Sequence, residues 1–266
     1  MAPGGYSASV LDRHPDASIR GISLPPSLGG HILRVSDGLR DPRVQVQFMD
    51  LTMLASEFGV CLDDIPPRHP EASQFNDARP YCGEEFDIVI CDGQVLRTHR
   101  RKEWRERREA TRLAVSQLIL GLQRIKTGGT FIMLLHKVEA WRTCTLLKAF
   151  DAFSSLVLYK PEKTFAQRSS FYLVAKNVQP QSEPAKEAVK EWKKTWYTTT
   201  FGGDDRAGSD LEAPSEDAVD AFLADFGRRL VELGHTVWET QACALERAPY
   251  VKLSPSGRTT DMGGMR

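Results

Sequence analysis

Met1-Ala2-Pro3-Gly4-Gly5-Tyr6-Ser7, leading into Ala8 to Leu11, sets a glycine pair at a loop-to-helix junction. Paired glycines let a backbone approach a ligand closely, and the helix N-terminus behind them offers N–H groups to a carboxylate or another anionic group. Taken alone, such a pair also reads as an ordinary turn at a frayed terminus. The residues downstream of it decide between the two. Short β-rich runs alternate with longer helix-like runs up to about Val178, the texture of an α/β sheet with helices on its faces. The strands expected in order are Ile19 to Leu24, Val44 to Met49, Phe86 to Cys91, Gly129 to Leu135, Leu156 to Tyr159 and Phe171 to Ala175. Several are unbroken apolar runs, as strands covered on both faces tend to be. Between the third and fourth, Ala110, Leu113, Ala114, Leu118, Leu122 and Ile125 recur at helical spacing, and Lys126-Thr127-Gly128-Gly129 is expected to stop that helix.

After Lys176 the texture changes, and Val178-Gln179-Pro180-Gln181-Ser182-Glu183-Pro184 reads as a polar linker. The chain therefore divides into residues 1–178 and a linker with a C-terminal helical region over 179–266. A helix is expected from Ala185 to Trp196, with Gly202-Gly203-Asp204-Asp205 opening a flexible acidic stretch. Pro214-Ser215-Glu216-Asp217 has the form of a capped helix start, and Val219, Phe222, Leu223, Phe226, Leu230, Val231 and Leu233 supply an apolar face up to Gly234. The residues at the end, rich in Ser, Gly, Thr and Met, are expected to be disordered.

A length of 266 residues with 41% hydrophobic residues suffices for a full core. No run approaches the ~18 consecutive apolar residues of a membrane span, and the start has no secretory hydrophobic region, so an intracellular protein with no membrane partner is expected. Cys61, Cys82, Cys91, Cys144 and Cys243 are odd in number and contain no C-x-x-C pair, which points to buried free thiols and to neither a disulfide framework nor a metal site. The net charge of zero conceals an asymmetry. Residues 97–112 carry Arg97, Arg100, Arg101, Lys102, Arg105, Arg107, Arg108 and Arg112 against Glu103, Glu106 and Glu109, whereas residues 204–225 are acidic. The basic stretch, with Trp104 inside it, suits phosphate binding and base stacking, and equally suits an exposed helix with internal ion pairs. Trp192 and Trp196 are read as covering a core.

The ordered set Ala2-Pro3-Gly4-Gly5-Tyr6-Ser7, Phe86-Asp87-Ile88-Val89-Ile90-Cys91-Asp92-Gly93, Thr127-Gly128-Gly129-Thr130-Phe131, Lys137 and Ser169-Ser170-Phe171-Tyr172-Leu173-Val174 resembles the FtsJ-like methyltransferases over residues 1 to about 178. The resemblance implies a Rossmann-like sheet with helices on both faces, S-adenosylmethionine as cofactor, and RNA ribose 2′-hydroxyls as acceptors. It also implies that Ala2, Pro3, Gly4, Gly5, Tyr6 and Ser7 hold the methionine portion. Asp50, ending a strand, matches the acidic residue that contacts adenine, with Leu51 beside it; its plain alternative is an Asx turn or helix cap. Leu24 stands where many Rossmann-type enzymes place an acidic ribose contact. Asp92 matches the aspartate lying between cofactor and acceptor.

Lys137, just past a strand, matches the family's second catalytic lysine, positioned to accept a proton from a hydroxyl or to stabilise the alkoxide. His136 beside it can titrate too, but is read as a ring packed at the strand end. Two departures stand against the family's Lys-Asp-Lys-Glu tetrad. The first lysine belongs upstream of the glycine loop, in sequence this chain does not contain, and Ser170 occupies the place of the glutamate. The first strand of the sheet is likewise expected to be missing. Losing a central strand should cost more than the ~5 to 15 kcal/mol by which a domain is stable, unless another segment takes its place. A catalytically degenerate or truncated binding or scaffold module is the alternative to an active enzyme.

Overall fold

The structure, a computed structural model, describes residues 2, 4–35 and 41–248. Met1, Pro3 and the tail expected to be disordered lie outside the described residues. The elements run α1 (Gly5–Arg13), β1 (Ile19–Ser23), β2 (Val44–Phe48), β3 (Phe86–Cys91), α2 (Glu109–Leu122), β4 (Ile125–His136), α3 (Trp141–Asp151), β5 (Ser155–Tyr159), β6 (Ser170–Lys176), α4 (Glu183–Phe201) and α5 (Glu216–Glu246). Five strands start within one residue of where the apolar runs place them. The exception is β4, which begins four residues early.

Ile125 leaves the helical pattern because α2 closes at Leu122, where Gln123 N–H donates to Ile119 O and Arg124 N–H to Gly121 O. Ile125, 3% exposed, then pairs with Phe86. The glycine pair expected to stop the helix lies inside the strand instead. Gly128 sits at φ 84°, and the register between β3 and β4 shifts between Phe86 and Ile88, so the glycines absorb a bulge.

The strands form two sheets. β1 and β2 pair in parallel, and a four-stranded sheet has the order β3-β4-β6-β5, with β3 and β4 parallel and β6 antiparallel to both β4 and β5. Among the described residues no strand stands ahead of the glycine loop, and none pairs with the second edge of β1 or of β3. Side chains tie the two sheets together. The Tyr81 hydroxyl donates to Gly21 O at 2.9 Å in β1, its ring meets Phe86 edge-on at 6.3 Å, and Arg20 of β1 pairs with Glu84 just ahead of β3 at 3.1 Å.

Strand periodicity sorts the four-stranded sheet into two unlike faces. The aligned set Phe131, Ala175 and Leu156, and the next set Met133, Leu173 and Leu158, are all buried under the helices. The opposite face carries Ile132, Val174 and Val157, then Leu134, Tyr172 and Tyr159, of which Val157 and Tyr159 are more than half exposed. α1 approaches this second face through Tyr6, which meets Tyr172 edge-on. On the buried side Phe150 contacts Phe131 at 5.0 Å and Trp192 at 6.0 Å, while Trp196, fully buried, meets Phe58 at 4.7 Å and donates from Nε1 to Thr52 O. Both tryptophans thus belong to the core.

α5 starts where the sequence places it, with the Ser215 hydroxyl accepting from Ala218 N–H. It does not end at Gly234. A Cβ there would come within 2.7 Å of the Trp238 ring, so this glycine makes room for a side chain one turn on and the helix continues to Glu246. The thiols also depart from expectation. All five are free, but only Cys91 and Cys144 are buried; Cys61, Cys82 and Cys243 are exposed. No helix of the described residues is long and apolar enough to cross a membrane.

Candidate active site

The carboxyl ends of β1, β2, β3 and β4 and the glycine loop meet along one edge of the fold. Gly4 takes φ 102° as the residue before α1, and a Cβ there would strike the Val35 side chain at 2.4 Å. Both the backbone and the space therefore require glycine. Gly4, as the N-cap, brings no side chain of its own to the first turn of α1, whose N–H groups suit an anion. The loop is anchored on two sides. Ala2 N–H donates to Ser23 Oγ at the end of β1, and the Tyr6 and Tyr172 hydroxyls lie 2.6 Å apart. Burial raises the Tyr6 phenol well above its usual range, with the Tyr172 hydrogen bond adding to it. Ser7 is buried, and Leu24 and Leu51 are half-buried at the ends of β1 and β2.

Asp50 caps a short helix, the plain alternative to its family role, and its carboxylate is held by near neighbours. One carboxylate oxygen accepts from Thr52 N–H and Thr52 Oγ1–H, capping the short helix Leu51–Met53, and the other accepts from Arg105 Nη2 at 2.7 Å. Burial opposes its charge, but Arg105 and the two Thr52 bonds outweigh burial and hold the carboxyl below the usual range. Arg105, itself 5% exposed, also pairs with Glu109, which pairs with Arg112 at 3.0 Å. Arg112 is fully buried, packs its guanidinium 4.8 Å over the Trp104 ring, and donates to Thr200 Oγ1 and Thr52 O. Its burial lowers its pKa to about 10.

This network changes the reading of the basic segment 97–112. Arg105 and Arg112 lie inside the fold, Arg101 is bound by Glu106 at 2.6 Å, and Arg108 pairs with Asp210 at 2.9 Å, joining the basic stretch to the acidic one. The Trp104 indole donates to Glu71. Arg97, Arg100, Lys102 and Arg107 remain solvent-facing.

Asp92, directly after β3, is exposed, and no side chain among the described residues makes an ion pair with it; partial burial raises its carboxyl. Gly93 behind it is clamped by Gln117, whose side chain accepts from Gly93 N–H at 2.7 Å and donates to Gly93 O at 3.1 Å, and a Cβ would close the same gap. Lys137 follows β4 at φ 51°, exposed, with its N–H donating to Ser169 O.

Sequence reasoning named His136 and Ser170 separately and missed that they meet. Ser170, the residue in the glutamate position, is paired in register with His136, and its Oγ lies 3.0 Å from His136 Nδ1. His136 Nε2 lies 3.2 Å from Gln94 Oε1. The signal available was an ionisable residue next to Lys137 opposite the altered position. A cavity of about 200 Å³ opens beside it, lined in part by Gln94, Leu113, Gln117, His136 and Thr143.

The first turn of α1, with a glycine where a side chain would intrude, fits the carboxylate of S-adenosylmethionine, and the half-buried Leu24 and Leu51 fit an apolar ring. Both Asp50 oxygens are engaged, and the one bonded to Arg105 keeps a second lone pair. A strand-end edge of an α/β fold with such a loop is where a Rossmann-type fold holds its cofactor. More narrowly, the chain belongs to the FtsJ-like methyltransferase family, which matches residues 1–178.

Among solved structures, human methyltransferase-like protein 13 in complex with SAH is similar at 14% identity, covering 82% of this chain and 84% of that chain with a TM-score of 0.36. An O-methyltransferase family protein from Burkholderia thailandensis is similar at 14% identity, over 66% of this chain and 48% of that one, with a TM-score of 0.33. No curated protein matches the chain.

Proposed function

We propose that this chain methylates RNA on a ribose 2′-hydroxyl. The observation that carries the reading is the ordered family match in which the glycine loop, Asp92 and Lys137 come to one edge of the fold, the last two at the ends of neighbouring parallel strands. S-adenosylmethionine supplies there a methyl group bonded to a positively charged sulfur. In this reading Ala2, Pro3, Gly4, Gly5, Tyr6 and Ser7 bind its methionine end, Leu24 and Leu51 flank the adenosine, and Asp92 offers negative charge near the methyl-bearing sulfur. Lys137 faces the acceptor, and Arg97, Arg100, Lys102 and Arg107 meet the RNA backbone. Residues 1–178 form the methyltransferase unit. Residues 179–266 add a linker and helical region whose α4 supplies Trp192 and Trp196 to the core.

Transfer of labelled methyl to total RNA tests this. The parent should incorporate label, and Asp92→Ala and Lys137→Ala should each lose most of it. A second reading, a degenerate methyltransferase-fold module, is favoured by two observations: the engagement of Asp50 by Arg105, and Ser170 in place of a carboxylate. A folded parent that binds S-adenosylmethionine in calorimetry but transfers no label would select it. Label appearing outside RNA would reject the RNA acceptor.

A further inference from the structure

We propose that the cavity between the loop 93–95, α2 and α3 receives one unstacked RNA base, and that Gln94, aimed by Ser170 and His136, selects a base carrying a carbonyl oxygen. The proposal rests on the RNA methyltransferase reading above and deepens it. The cavity lies at the carboxyl ends of β3 and β4, and Gly93 and His136, which line it, are the chain neighbours of Asp92 and Lys137. α2 turns Ala110, Leu113 and Ala114 toward it at helical spacing, and β4 adds Met133 and Leu135, so its walls are largely apolar. Its volume of about 200 Å³ falls below the ~300 Å³ at which sites begin to hold drug-sized ligands, and suits a single planar base. Cations flank it. Arg142 of α3, exposed, donates to the Thr111 hydroxyl of α2, and Lys137 is exposed after β4. Single-stranded RNA is read in this way, by bases splayed out of the stack with phosphates held alongside.

A chain of hydrogen bonds fixes the polar end of the cavity. The buried Lys160 ammonium donates to Ser170 O at 2.8 Å, Ser170 Oγ lies 3.0 Å from His136 Nδ1, and His136 Nε2 lies 3.2 Å from Gln94 Oε1. The amide oxygen is an acceptor, so Nε2 carries the ring proton, Nδ1 keeps its lone pair, and the Ser170 hydroxyl donates to it. Burial lowers the His136 pKa below its ordinary value, so the ring is neutral at pH 7, as this chain requires.

With its oxygen turned to His136, Gln94 keeps two amide N–H donors for a ligand in the cavity, and no side chain or backbone group of the described residues takes them. The other polar side chains of the lining are engaged. Gln117 accepts from Gly93 N–H and donates to Gly93 O, and the Thr143 hydroxyl donates to His136 O. Selection therefore falls to Gln94. Uracil, cytosine and guanine present a carbonyl oxygen to its donors, whereas adenine has none and brings an amino donor against them.

The test is fluorescence anisotropy with abasic RNA octamers that carry one base, uracil or adenine, so that the phosphate contacts are the same in both. The parent should bind the uracil octamer about tenfold more tightly than the adenine one. Gln94→Glu, whose carboxylate offers acceptors, should reverse that preference, and Gln94→Ala should abolish it, both with the parent's circular dichroism. Leu113→Trp, which fills the cavity, should bind both octamers no better than a fully abasic one. ¹⁵N NMR should find His136 protonated on Nε2 at pH 7. Ser170→Ala should weaken the uracil preference and Ser170→Thr should restore it. A parent that binds the two octamers equally, or a preference that survives Leu113→Trp, overturns the proposal, as does His136 protonated on Nδ1 at pH 7. Binding is measured apart from transfer, so a parent that prefers uracil but moves no label to RNA refutes the methyltransferase reading and supports the base pocket.

Discussion

Asp50 and Asp92 end neighbouring regions of the same strand-end edge, and the fold treats them in opposite ways. Asp50 is buried in a closed network, with Arg105, Thr52, Glu109 and Arg112 satisfying one another and Trp104 and His69 packed against them. Asp92 stands at an open end beside His136 and Lys137, with no ion-pair partner among the described residues and its carboxyl raised by partial burial. A charge matched by fixed partners holds structure, and a charge left unmatched is free for a ligand or a proton. The difference separates a closed end of the edge from an open one, although the sequence presents both residues as strand-ending aspartates.

The largest effect should come from breaking the closed end. Arg105→Ala leaves the Asp50 and Glu109 carboxylates without their shared cation, and removing one partner from a buried ion pair costs about 3 to 5 kcal/mol. Denaturant melts at pH 7 measure it. A loss below about 1 kcal/mol, the range of exposed pairs, would mean that the network is solvated and that Asp50 is as available as Asp92.

Acid should loosen the same end next. His69 is 4% exposed, its ring edge-on to Trp104 at 4.5 Å and to Phe75 at 5.1 Å, and burial with the nearby Arg112 charge lowers its pKa to about 4. The folded state therefore binds this proton less readily than the unfolded chain. The stability His69 contributes is complete above about pH 6.5 and is lost as pH falls toward 4. A gap of about 2.5 units is worth roughly 3 kcal/mol. Melts between pH 7 and 4 should show that loss in the parent and a flatter profile in His69→Gln. Below that range Asp50 adds to the loss, because its lowered carboxyl gives stability above the ordinary carboxylate pKa that disappears as pH drops through the folded value.

The sequence was informative wherever the cause was local. Short β-rich apolar runs located the strands, the glycine pair marked the turn into α1, and Ser215 marked the start of α5. Long-range partners were not legible. Arg105 lies 55 positions from Asp50, and in the sequence it is one of eight cations in a stretch that equally suits a solvated face. Arg112 and Thr200 are 88 apart, and Gly234 reads as a helix stop until Trp238 is seen filling its space. In the site, Asp92 and Lys137 were visible because strand ends are predictable from pattern. His136 with Ser170 was not, because a cross-strand register is fixed only once β4 and β6 pair.

The smallest expected effect on stability, and the sharpest contrast, belongs to the open end. Asp92→Asn and Lys137→Ala remove exposed groups that hold nothing together, so each should change stability at pH 7 by no more than about 0.5 kcal/mol. The pH dependence of Asp92 should carry the sign opposite to that of Asp50. With its carboxyl raised in the folded state, the native protein binds this proton more tightly than the unfolded chain, so stability rises as pH falls through the raised value, and Asp92→Asn removes that rise. Melts of parent and variant from pH 7 to 4 give the difference directly. A variant that instead loses several kcal/mol at pH 7 would make Asp92 a second structural anchor, and its loss of methyl transfer would then report unfolding rather than chemistry.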